Sequence, residues 1–202
     1  MEFYHDTITE KSFAVLQQLK NKYNFILIGG WAIFLYAKAL KSKDIDIIVD
    51  YNELDKIRKD FPLSKNERLK KYEIKMEKID VDIYLPHFSW LGFPVEEIRN
   101  YCQPIEGFSL PVPELLLIMK IFTFNERKET VKGQKDLIDI FSLLKAGIIN
   151  WQKYRELVEK YRLEKLTEKL KDLVSVQVVI PELNLLSHQI AKLKREVLTN
   201  LG

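Results

Sequence analysis

Lys43-Asp44-Ile45-Asp46-Ile47-Ile48-Val49 is the stretch that decides how this chain folds. In an extended strand successive side chains point to opposite faces. Asp44 and Asp46 therefore share one face, while Ile45, Ile47 and Val49 point the other way into a core. Neighbouring carboxylates repel, which ordinarily raises one of their pKa values. A hard divalent cation, Mg²⁺ or Mn²⁺, removes that conflict because it takes carboxylate oxygens together with substrate phosphates. The pattern asks for a metal and a nucleotide.

The flanking segments supply matching parts. Upstream, Phe25-Ile26-Leu27-Ile28 is a continuous apolar run, as a central buried strand requires. Gly29-Gly30 ends it and opens a helix at Trp31–Ala37. Glycine permits close backbone approach and unusual φ, and a helix N-terminus attracts phosphate. A plain strand-to-helix turn asks for the same glycines. Downstream, Ile79-Asp80-Val81-Asp82-Ile83-Tyr84-Leu85 alternates strictly. If this strand lies beside the first, Asp82 or Asp80 reaches the same site. An ordinary half-exposed strand with solvated acids is the plainer reading, and two such strands after a Gly-Gly make it the weaker one.

These three elements resemble the nucleotidyltransferase superfamily, the polymerase-β-like fold. Its pattern is an apolar residue before Gly-Gly, a helix, an acid-x-acid strand, and a later strand with one acid. Ile28-Gly29-Gly30, Asp44-Ile45-Asp46 and Val81-Asp82-Ile83 match it in order. The resemblance implies an α+β fold, with an antiparallel-rich mixed sheet and flanking helices. It also implies metal ligands at Asp44, Asp46 and Asp82, with NTP as substrate. Gly29, Gly30 and Lys43 fall in the nucleotide-binding set. Asp82 fits the pattern better than Asp80.

The second half reads as a helical bundle. Pro113 suits the first turn of a helix that runs to about Arg127. A second helix spans about Gly133 to Lys145 and stops at Ala146-Gly147. Further helices fit Trp151–Tyr161, Leu163–Val174 and Glu182–Leu198. Val176–Ile180 is β-branched and apolar, which suits a short strand, but between two helices it reads as an apolar helix end stopped by Pro181. Pro113-Glu114-Leu115-Leu116-Leu117-Ile118-Met119-Lys120, Arg127 and Lys135-Asp136-Leu137-Ile138-Asp139 together resemble AbiEii-type nucleotidyltransferases, many of which are toxins of toxin–antitoxin pairs. The resemblance implies that Lys120 contacts the triphosphate and that Asp136 belongs to the same set. Physically, a lysine that closes an apolar stretch either snorkels at a core edge or binds phosphate as a point charge. Asp136 and Asp139 share a helix face, and Asp139 serves to orient Lys135 or a neighbour.

The expected division is 1–107 for the catalytic domain and 108–202 for the helical one. Within the first, Thr7-x-x-Glu10 reads as a capping box and Asn52 as the cap of a short helix. Of 202 residues, 47% are hydrophobic, enough for a core, and the net charge is +3 from 32 basic and 29 acidic residues. That balance does not require nucleic acid as a partner. One cysteine, Cys102, excludes an internal disulfide and fits a reducing, cytoplasmic compartment. The N-terminus lacks a signal pattern, and no apolar run reaches membrane-span length. His5, His87 and His188 show no metal spacing. Lys65, Arg68, Lys70, Lys71, Lys75 and Lys78 form a basic run that either tracks an RNA backbone or is a solvated strand face.

The reading is a metal-dependent nucleotidyltransferase that acts on an acceptor hydroxyl. RNA, tRNA in particular, is the favoured acceptor, a protein hydroxyl is the other choice, and an antitoxin protein is an implied partner. The alternatives are a non-catalytic nucleotide-binding module on the same fold and an antibiotic nucleotidyltransferase.

Overall fold

The computed structural model describes residues 6–202. The chain divides into two compact units, one ending at Val112 and one spanning Pro113–Gly202.

The first unit carries seven strands: β1 (Ile26–Ile28), β2 (Ile45–Ile48), β3 (Ser64–Asn66), β4 (Lys71–Lys75), β5 (Asp80–Tyr84), β6 (Cys102–Ile105) and β7 (Phe108–Pro111). They form one mixed sheet in the order β3-β4-β5-β2-β1-β7-β6. β2 runs parallel to β5 and β7 parallel to β1, and the other neighbours are antiparallel. This is the mixed α+β architecture that the resemblance implied. The central position of β1 explains its unbroken apolar run, because all three of its residues are buried. Ile45, Ile47 and Val49 are buried as the alternation requires.

Three helices complete the unit: α1 (Asp6–Lys22), α2 (Gly29–Ala37) and α3 (Tyr51–Asp60). α2 packs on β1 and β2. It is tied to α1 where Trp31 Nε1 donates to Ser12 Oγ at 2.9 Å. α1 already contains Asp6, so Thr7 lies inside the helix and is not its cap. The cap of α3 is Asp50, whose Oδ1 accepts from the Glu53 backbone N–H at 2.8 Å, and not Asn52. A 3₁₀ helix covers Val95–Tyr101.

The sequence reading placed a boundary at Gly107, but the structure places a hairpin there. Ile105 and Phe108 pair across a loop of Glu106 and Gly107, with φ of 49° and 77°. Two consecutive left-handed residues make the turn that matches the twist of paired strands. β7 then lies beside β1, so the division falls after Val112.

The second unit contains α4 (Pro113–Arg127), α5 (Val131–Lys145), α6 (Trp151–Tyr161), α7 (Glu164–Val176) and α8 (Ser187–Leu201). α4 is its centre and packs on α5, α6 and α7, with Leu115, Leu116, Leu117 and Ile118 fully buried. Thr130 caps α5 by accepting from Gly133 N–H at 3.0 Å. Asn150 caps α6, and its own N–H donates to the buried Glu114 at 2.7 Å. α7 ends at Val176, so the apolar stretch beyond it is not helical as expected. Ile180 instead bridges Leu185. Among the described residues no helix is long and apolar enough to cross a membrane.

Candidate functional site

The sheet register builds a row of acids. Asp46 on β2 lies directly opposite Asp82 on β5, and Asp82 lies opposite Glu73 on β4. Directly opposed residues share a face, so three carboxylates cross three strands side by side. Asp44 sits one residue before β2, where its backbone carbonyl accepts from Ser42 Oγ at 3.0 Å. Asp80 stands opposite Lys75 and pairs with its ammonium at 3.0 Å. Of the two acids on β5, Asp82 is the cross-strand neighbour of Asp46.

The Asp46 end of the row meets the glycines. Gly29 has φ of 67°, a left-handed conformation that favours glycine. A Cβ built on Gly29 falls 2.1 Å from Asp46 Oδ2, so the carboxylate occupies the space of the missing side chain. Gly29 also begins α2, whose N-cap Ile28 offers no side-chain hydrogen bond to the first turn. The positive end of the helix therefore adjoins a carboxylate, a favourable arrangement. Tyr84 Oη donates to Asp46 Oδ1 at 3.4 Å. Gly30 is buried in the first turn, and Lys43 is half-buried in the bend before Asp44.

The other end of the row meets a lysine. Lys71 is only 8% exposed. Its Nζ lies 2.5 Å from Asp82 Oδ2 and 2.9 Å from Glu73 Oε1. Burial alone lowers an ammonium pKa, but Asp82 and Glu73 hold that of Lys71 above its ordinary value. The same contact keeps the Glu73 carboxyl below the usual range. Lys71 was read as one of a surface basic run, and that placement is corrected. The signal was present in the alternation Lys71-Glu73-Lys75, which puts all three on one strand face. Only the pairing of β4 with β5 tells which acids they meet.

The donor chemistry suits a hard cation in part. Asp44 and Asp46 offer carboxylate oxygens, as Mg²⁺ or Mn²⁺ prefer, and Asp46 lies against the Gly29 backbone. Asp82, the third expected ligand, has the Lys71 ammonium 2.5 Å from its Oδ2. Among the described residues no group of three or more His, Cys, Asp or Glu side chains is assembled as a metal site.

In the helical unit, Lys120 and Asp136 come together as the spacing suggested, within a larger network. Lys120 Nζ lies 2.8 Å from Asp136 Oδ1 and 2.8 Å from Asp139 Oδ2. Arg127 donates to both oxygens of Asp136, at 2.7 and 3.1 Å. Lys135 Nζ reaches Asp139 Oδ1 at 2.5 Å. Burial opposes the charge on Lys120, yet Asp139 and Asp136 raise its pKa well above the lysine range. Burial opposes the charge on Asp139 too, and Lys120 and Lys135 overcome it to hold that carboxyl low. The network joins α4 to α5. Gly133 lets the two helices meet, since a Cβ there falls 2.2 Å from the Arg127 carbonyl oxygen.

The remaining candidates are minor. Burial raises the Cys102 thiol pKa, and its Sγ donates to the Ile98 carbonyl at 3.3 Å, as an unreactive small hydrophobe does. His5 and the N-terminal signal question lie outside the described residues. Lys65 and Lys70 do stand on the surface, 4.9 and 5.4 Å above the Phe88 ring, which packs on Tyr72.

Solved structures share this fold. The crystal structure of JHP933 from Helicobacter pylori matches with a TM-score of 0.55 at 15% identity, over 98% of this chain and 93% of that one. A second H. pylori protein, described as a "putative nucleotidyltransferase", matches with a TM-score of 0.56 at 15% identity, over 98% and 96%. No family model and no curated protein matches the chain. At this identity the likeness is one of fold, and the fold is nucleotidyltransferase-like.

Proposed function

We propose that this chain is a nucleotidyltransferase that moves a nucleoside monophosphate from an NTP to an acceptor hydroxyl, with pyrophosphate as the leaving group. The observation that carries the reading is the adjacency of Asp46 and Asp82 beside the N-terminus of α2. Asp44 and Asp46 are the residues that would hold Mg²⁺ or Mn²⁺. When bound, such an ion neutralises triphosphate charge and orients the α-phosphate for in-line attack. The backbone N–H groups at Gly29 and Gly30 supply donors to phosphate oxygens, and Lys43 adds positive charge close by. Asp82, fixed by Lys71, is the acid placed to receive the acceptor's proton. By resemblance, Lys120, held by Asp136, is a further residue for binding phosphate. Much of the rate enhancement then comes from positioning.

The favoured acceptor is RNA, a tRNA 3′ end by the resemblance to toxin enzymes, with an antitoxin protein as partner. The test is incubation with each of four α-labelled NTPs and Mg²⁺, together with total RNA, the protein itself, or aminoglycosides and lincosamides. Label on RNA supports the reading, and label on an antibiotic alone refutes the acceptor assignment. One observation favours a second reading, a nucleotide-binding module without catalysis: Lys71 occupies Oδ2 of Asp82. Nucleotide binding with no label on any acceptor selects that reading.

A further inference from the structure

Among the described residues of the first unit, the large apolar side chains left exposed are Tyr51, Leu69 and Trp90. All three adjoin the segment that follows β5. Tyr51 Oη donates to the Pro86 carbonyl at 3.1 Å. The buried Ser89 ties the rest together: its Oγ accepts from Leu85 N–H at 3.0 Å and donates to the Lys70 carbonyl. That clasp brings the next residue, Trp90, to the β3–β4 loop that carries Arg68, Leu69 and Lys70. Lys65 and Lys70 lie over the Phe88 ring and both ion-pair with Glu67. Arg68 is exposed and makes no ion pair among the described residues. Three cations against one acid leave this corner basic. Trp90 is 53% exposed, and its indole has no ring contact or hydrogen bond among the described residues. The register also fixes the face. Lys65 stands opposite Tyr72, and Tyr72 opposite Ile83, one residue beyond Asp82. Lys65, Tyr72 and the Phe88 ring packed on it are therefore on the side of the sheet turned away from Asp46, Asp82 and Glu73.

We propose that this corner is an anchoring surface for single-stranded RNA, on which an unpaired base stacks on the Trp90 indole while Lys65, Arg68 and Lys70 follow the phosphates. The proposal rests on the RNA reading given above and deepens it, because it names the form of RNA and the place that holds it. A surface of cations beside an open aromatic ring suits a polyanion that also carries flat apolar faces. An acidic peptide would match the cations alone. A duplex keeps its base faces stacked on one another and has none to offer the indole. Because the corner and the acid row lie on opposite faces, the anchored stretch is not the end that reacts. The strand must round the edge strand β3 to reach the acids, and three strand spacings, about 14 Å, separate β3 from β2.

The test is fluorescence anisotropy of a labelled single-stranded oligouridylate and of a labelled RNA duplex, each titrated with the full chain in the absence of NTP. The wild type should bind the single strand more tightly than the duplex. Trp90→Ala should weaken single-strand binding about 10-fold, the scale of one lost base–aromatic stack. Trp90→Phe should restore most of it, and Lys11→Ala, an exposed lysine of α1 outside the corner, should bind as the wild type does. Melting curves check that the variants fold, and an exposed side chain should leave them unchanged. Equal affinity for duplex and single strand overturns the proposal, as does wild-type affinity in Trp90→Ala. So does a wild type that binds neither RNA, which would point to a protein as the occupant. Labelled-NTP transfer to total RNA is scored separately, and in Trp90→Ala the half-saturating RNA concentration should rise about 10-fold, with the loss falling there and not on kcat. Transfer with an unchanged half-saturating concentration refutes only the anchoring surface, whereas Trp90-dependent binding without transfer refutes only the catalytic reading.

Discussion

Asp46 and Asp82 face each other across two parallel strands, and Asp46 packs against the bare α-carbon of Gly29. Asp46 is therefore the centre of the candidate site, with a second acid opposite it on the neighbouring strand and the start of a helix on its other side.

Asp46→Asn should therefore abolish transfer without unfolding the protein, and Asp44→Asn should do the same. We expect a loss of roughly 100-fold or more in turnover, the scale set by removal of one charge-stabilising group from a site. The melting temperature should hold or rise slightly, because repulsion between acids is relieved. Near-normal transfer by either variant refutes the assignment. Labelled-NTP incorporation alongside thermal melting decides it.

Gly29→Ala tests the cradle. Its left-handed backbone costs a Cβ about 1–2 kcal/mol, and the clash with Asp46 Oδ2 adds to that. Gly147→Ala is the control, since Gly147 has φ of 64° but no atom within 4 Å of a built Cβ. Urea denaturation should show the Gly29 variant to be the less stable of the two. Equal losses would mean that backbone strain alone explains Gly29.

Lys120→Met removes the cation shared by Asp136 and Asp139. Breaking one partner of a buried ion pair costs about 3–5 kcal/mol. Arg127 and Lys135 remain on those acids, so about 3 kcal/mol is the expectation. If nucleotide affinity is unchanged despite that loss, Lys120 is structural. A fall in affinity larger than the fall in stability supports the phosphate contact.

The same network sets an acid limit. Asp139 is held below its ordinary pKa of 3.8 by Lys120 and Lys135 against burial. Its contribution to stability is present above pH 3.8 and is lost as pH falls through the lower folded value. Lys120 is raised above 10.5, so its contribution is present below that pH and is lost only in strong alkali. Urea midpoints should be nearly flat between about pH 5 and 9 and fall at pH 3. In Lys120→Met the fall should be smaller, because Asp139 retains only part of its shift.

Lys65 and Lys70 are the exposed members of the basic run that lie over the Phe88 ring, which packs on Tyr72. Lys65→Glu with Lys70→Glu should weaken binding of an RNA acceptor, and the wild-type affinity should fall steeply with salt. NTP affinity should not change. Equal RNA binding by the variant would mean that the acceptor is held elsewhere.

Much of the site could be read from the chain because strands write their faces into alternation. Asp44, Asp46 and Asp82 stood out against Ile45, Ile47, Val81 and Ile83 before any pairing was known. Helix α4 could be read from Pro113 and its apolar run. The parts that were missed depend on partners. Lys71 alternates with Glu73 and Lys75, but only the neighbouring strand makes it a buried counter-ion. β6 contains Pro104 and β7 ends on Pro111, residues that argue against a central strand, yet β6 is an edge strand and tolerates them. β3 is short, polar and also at an edge, as edges that must resist pairing are, so it left no apolar signal.

The parallel pairing of β2 with β5 has one more consequence, which concerns time. Asp46 leaves the ribosome early, but its opposite acid follows only after α3, β3 and β4 have been made, and parallel strands cannot close through a tight turn. Non-local pairing of this kind is slow to form. The candidate centre is thus absent from the nascent chain until β5 has docked. An incomplete or misregistered molecule carries the acids without the site, so a cell producing this chain meets any activity only in the finished protein.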